Sequence, residues 1–99
     1  MNNTYLMRPA KAWLKRRNGP DEIVRVVQDM GSEIKGLSYK LYIAYGNLKN
    51  DDLPDDRNPD FLGRILFDTE GYWIYDGEIL AIAEQEQLAK FIINYVEAV

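Results

Sequence analysis

The sequence predicts an α+β domain with one or two N-terminal helices, a mainly antiparallel sheet of three or four strands, and a C-terminal amphipathic helix packed on that sheet. Three observations predict it. Residues 37–46 alternate side chains with a period of two. Residues 61–82 read as short β segments joined by glycine-bearing turns. Leu88, Phe91, Ile92, Tyr95 and Val96 stand at the i, i+3, i+4, i+7, i+8 spacing of one helix face. The 99 residues fit one domain, 1–99. A chain of this size buries roughly two thirds of the surface its unfolded form exposes, enough for a core without staples.

The elements follow in chain order. Residues 5–18 suit a short amphipathic helix: Pro9 fits a first turn, and Leu6, Ala10, Trp13 and Leu14 share a face. An extended start at Thr4–Met7 is the alternative. Residues 20–30 suit a second helix. Pro20 opens it, Asp21 and Glu22 favour its positive end, and Gly31 stops it. Ile23, Val26, Val27 and Met30 make its apolar stripe, although Val24, Val26 and Val27 also suit a strand.

Residues 37–46 are a strand, with Leu37, Tyr39, Leu41, Ile43 and Tyr45 on one side and Ser38, Lys40, Tyr42 and Ala44 on the other. A polar loop follows to Asp60. Further strands are expected at about 62–68, 72–75 and 78–82, the last two joined by Asp76-Gly77, a strong type I′ hairpin signal. A helix over about 84–97 closes the chain, with Glu84 and Glu86 at its positive end.

The chain has no cysteine and no histidine. Disulfides, thiol nucleophiles and zinc ribbons are therefore excluded, as is a Ser–His–Asp triad. No cofactor motif is present, and no segment approaches the apolar length of a membrane span. Met1–Met7 has no secretory h-region. A cytoplasmic location and a non-enzymatic role are the expectations.

Two carboxylate groupings invite chemistry. The loop 49–60 holds five Asp in twelve residues, the oxygen ligands that calcium or magnesium needs. Asp56, Asn58 and Asp60 match the first, third and fifth ligand positions of an EF-hand. The required Gly is Phe61, however, and the bidentate Glu is Phe67. Turn chemistry explains the loop better, and no metal site is assigned. Asp68, Glu70, Asp76 and Glu78 contain pairs suited to glycoside-type catalysis, yet all lie in or beside turns, which are usually wet.

Aromatics crowd the expected sheet: Tyr39, Tyr42, Tyr45, Tyr72, Trp73 and Tyr75. Cross-strand packing accounts for most of such a set. A sheet covered by helices on one face leaves the other open, so either Trp73 and Tyr75 or Tyr72 and Ile74 should be uncovered. Exposed Tyr and Trp are residue types that anchor protein interfaces.

Charge is strongly polarised. Residues 1–20 carry five basic and no acidic residues, whereas residues 21–99 carry seven basic and sixteen acidic ones. Between Ile65 and Ala89 there are six acids and no Lys or Arg. The favoured reading is a small interaction module: an adaptor, inhibitor, immunity-type or accessory protein. It would bind a protein partner through Trp73, Tyr75, Asp76 and Glu78. The alternative is a nucleic-acid-associated regulator contacting phosphates through Arg8, Lys11, Lys15, Arg16 and Arg17. No membrane partner is expected. Self-association through a sheet edge is open to any small β-containing domain.

Overall fold

The computed structural model describes residues 9–29, 37–45 and 52–97. It contains one five-stranded antiparallel sheet followed by a single helix. The strands are β1 (Ala10–Leu14), β2 (Glu22–Gln28), β3 (Leu37–Ile43), β4 (Phe61–Phe67) and β5 (Trp73–Asp76); the helix is α1 (Ile82–Glu97). Each strand pairs with its neighbour in sequence, giving the order β1-β2-β3-β4-β5.

The N-terminal half departs from the expectation of helices. The segment read as a helix over 5–18 is a strand from Ala10, residues 1–8 lying outside those described. Ala10, Ala12 and Leu14 are buried while Lys11 and Trp13 are exposed, the alternation of a strand covered on one face. Exposed Pro9 stands just before the strand, where its missing N–H breaks no ladder bond. The segment read as a helix over 20–30 is β2. Val24, Val26 and Gln28 are buried, and the β-branched run satisfies its backbone against β1 on one side and β3 on the other. Gly31 lies outside the described residues.

From β3 onward the elements fall near their expected places, with one exception. The strand expected at 78–82 does not form, and Asp76-Gly77 makes no type I′ turn, because Gly77 is not at positive φ. Its smallness serves another purpose: a Cβ there would lie 2.4 Å from the Tyr75 hydroxyl oxygen. That hydroxyl accepts the N–H groups of Ile79 and Leu80, each at 3.3 Å, and donates to the Leu62 carbonyl. The chain thus folds around the tyrosine instead of returning along β5. Leu80 is buried, and α1 begins at Ile82.

Helix α1 starts two residues before its expected position. The Glu84 carboxylate reaches back to the Ala81 N–H at 2.8 Å, half of a capping box, which satisfies one of the donors a helix start leaves orphaned. Leu88, Ala89 and Ile92 are buried and Phe91 packs beside them, while Tyr95 is exposed.

The core lies between α1 and one face of the sheet. It joins Ala12, Leu14, Val24, Val26, Tyr39, Leu41, Ile65 and Phe67 to Leu88 and Ile92. Tyr39 and Phe67 meet edge to face with ring centroids 5.7 Å apart. The register shifts between Leu41 and Tyr42: Gly63 opposes Leu41, Phe61 opposes Tyr42, and Leu62 is the extra residue of a bulge. Gly63 has φ +113°, and a Cβ on it would meet the Tyr75 ring at 2.7 Å. No helix among the described residues is long and apolar enough to cross a membrane.

Candidate interaction surface

Among the described residues no helix crosses the other face of the sheet. Pairing brings its side chains into rows. Lys11 stands beside Arg25 and Arg25 beside Tyr42; Val27 stands beside Lys40, Lys40 beside Arg64 and Arg64 beside Asp76. The Arg25 guanidinium stacks over the Tyr42 ring at 4.7 Å from its centroid.

The loop after β3 reaches this face through Asp55, in a single 3-10 turn at Asp55–Arg57. Its carboxylate accepts the Tyr42 hydroxyl at 2.8 Å and pairs with Lys40 Nζ at 2.9 Å. Burial pushes the Asp55 carboxyl up, but the hydrogen bonds from Lys40 and Tyr42 and the charges of Lys40 and Arg64 outweigh it. The carboxyl ends below its ordinary value. Burial, then the hydrogen bond to Asp55, push the Tyr42 phenol up, so it stays a protonated donor. Arg64 pairs with Asp76 at 2.8 Å and with Asp29 at 3.7 Å. The middle of the open face is therefore a set of mutually neutralised charges.

The acid-rich loop behaves as turn chemistry. The Asn58 side chain accepts the Asp60 N–H at 2.8 Å, and the Asn58 N–H bonds the Asp55 carbonyl. No group of three or more acidic side chains placed to hold a metal ion occurs among the described residues.

The four residues expected to bind a partner divide. Trp73 and Tyr75 point to the helix side and are half-buried against the core. Asp76 lies on the open face beside Arg64, and Glu78 is exposed just after β5. The uncovered pair is the other one: Tyr72, just before β5, is 72% exposed and Ile74 66%. Alternation alone offered both pairs; the side on which α1 docks selects between them. Asp68 caps the turn before β5, accepting the N–H groups of Glu70 and Tyr72, so it serves the hairpin. Glu70 and Glu78 are exposed and make no ion pair among the described residues.

The basic residues proposed for phosphate contact are spread differently than on one helix face. Arg8 lies outside the described residues. Lys11 sits over the Tyr45 ring, 5.0 Å from its centroid. The Lys15 backbone is held at both its N–H and its carbonyl by the Gln87 amide. Arg16 pairs with Glu84 at 2.8 Å and with Glu22 at 3.1 Å, and the Arg17 N–H donates to Glu84.

Glu84 thus receives both ends of the fold and is only 4% exposed. Burial pushes its carboxyl up, but the N–H groups of Ala81 and Arg17 and the Arg16 guanidinium hold it below its ordinary value. No sequence motif announced this cluster; the nearest signal was an acid in the first turn of a helix following an acid-free, basic segment. Comparison of the chain with known protein families, curated proteins and solved structures finds no match.

Proposed function

We propose that this protein is a non-enzymatic interaction module that docks a protein partner on the β5 side of its open sheet face. The observation that carries the reading is Tyr72, just before β5, and Ile74 within it, two large side chains left in water at one end of the strand order. Large apolar groups on one face at an unpaired sheet margin are what binding sites expose and folded cores hide. Glu70 and Glu78, exposed on either side of β5, give it an acidic rim, while Asp76 is paired with Arg64. Trp73 and Tyr75 support it from the core side without facing the partner.

The test compares proteins co-purifying with the full chain and with a Tyr72→Ala/Ile74→Ser variant. The expected result is loss of specific partners with the thermal midpoint nearly unchanged. An identical set of partners from a folded variant overturns the reading. Phosphate binding through the basic segment is the weaker reading. Of its residues Lys11, Lys15 and Arg17 are exposed, whereas Arg16 is engaged by two carboxylates.

A further inference from the structure

We infer that the partner segment is an extended, basic stretch of another protein that adds to the outer edge of β5 as a sixth strand. This rests on the docking surface proposed above and specifies its occupant.

The backbone supplies the first observation. The Asp68 N–H donates to the Tyr72 carbonyl at 2.9 Å, so Tyr72 directs its backbone toward β4. In an antiparallel ladder the direction alternates residue by residue. Ile74 and Asp76 then also turn inward, and the N–H and C=O groups of Trp73 and Tyr75 point out of the sheet. No strand follows β5 in the sheet order, and no hydrogen bond to those outward groups occurs among the described residues. An extended peptide is the partner that satisfies such a row of donors and acceptors.

Charge supplies the second. Glu70 and Glu78 flank the strand at its two ends, exposed and without ion pairs among the described residues. No Lys or Arg occurs from Ile65 to Ala89. Lys or Arg on the incoming strand complements this rim, and alternate apolar residues cover Tyr72 and Ile74. Pairing β5 with β5 of a second copy sets like charges against each other, which disfavours that occupant.

The experiment uses the full, isotope-labelled chain and three synthetic peptides of about ten residues, a length that spans one strand and its flanks. One alternates lysine with threonine or valine. The second replaces lysine by glutamate. The third is the lysine peptide with alternate amides N-methylated, which removes the hydrogen bonds of a strand but keeps charge and side chains. The lysine peptide is expected to bind, to weaken as salt rises, and to slow exchange of the Trp73 and Tyr75 amides by about tenfold or more. Glu70→Gln with Glu78→Gln is expected to weaken it several-fold.

Equal binding of the N-methylated peptide overturns strand addition, and loss of that binding in Tyr72→Ala/Ile74→Ser then shows that the surface itself stands. Equal binding of the glutamate peptide overturns the basic partner. Protection of the same two amides on concentrating the protein alone makes the occupant a second copy and overturns the inference. Shifts confined to β1, or none at all, overturn both the inference and the surface.

Discussion

The two margins of the sheet are finished differently. Just past the end of β1, side chains from α1 hold the chain: Gln87 holds Lys15 at both its N–H and its carbonyl, and Glu84 accepts from Arg17 while pairing with Arg16. At β5 nothing comparable occurs among the described residues, and the side chains there are apolar or acidic and wet. Bare sheet edges are sites of unwanted pairing, so proteins usually blunt or cover them. The helix thus clasps the chain just beyond β1, while Tyr72 and Ile74 stand in water at the other margin, where the proposed docking surface lies. The stabilising polar contacts gather at the first.

The contrast can be broken first from β4, beneath Tyr75 of β5. Gly63→Val puts a branched side chain at φ +113° and into the Tyr75 ring. It is expected to cost about 3 kcal/mol or more, read as a lower urea midpoint. Glu84→Ala attacks the β1 margin. It leaves Arg16 without a buried partner and orphans two N–H groups, at an expected cost of about 3 kcal/mol. A midpoint unchanged by this substitution would show that the β1 margin needs no such seal.

Acid sharpens the same point. Glu84 and Asp55 both ionise more readily in the fold than at their ordinary values. Their contribution is therefore complete above the ordinary carboxylate range. It is lost as pH falls through that range and then through the lower values of the folded protein. Urea midpoints measured from neutral to acid pH should fall, and Glu84→Gln with Asp55→Asn should flatten that fall. Gln87→Ala removes two hydrogen bonds at the β1 margin and is expected to cost about 1–2 kcal/mol. Tyr72→Ala with Ile74→Ser should shift stability by no more than about 0.5 kcal/mol, since both side chains are exposed. A large loss from that pair would make them part of the core and remove the docking surface.

From β3 onward, apart from the segment after β5, the chain was legible in the sequence because its patterns had one reading each. Leu37 to Ile43 alternate too cleanly for a helix, and Leu88 to Tyr95 recur too regularly for a strand. The N-terminal half was not, because β1 is short and built largely of Ala, Leu and Lys, residues with high helix propensity. Ala10 and Leu14 fit a helix face as readily as a strand face. Ala12, whose burial distinguishes the two, is a weak apolar marker. Pairing with β2 settled the conformation, and pairing is not a local property. The Asp76-Gly77 signal misled for a different reason: the glycine makes room for Tyr75 and does not adopt a positive backbone angle. Of the candidate site, the acidic stretch and the choice between two aromatic-bearing faces were visible, but which face stays open depends on where α1 docks.

The order of strands has a kinetic consequence. Every strand pairs with its predecessor in the chain, through connections of which the longest is 44–60, so the closures that build the sheet are local. The contacts of α1 with β1 are the opposite case: Lys15 and Gln87 are 72 residues apart in sequence. A nucleus within the central hairpins followed by late docking of the helix is the expected sequence of events. Substitutions at Gln87 or Glu84 should then speed unfolding while leaving the refolding rate nearly unchanged, the mark of a clasp that shuts last.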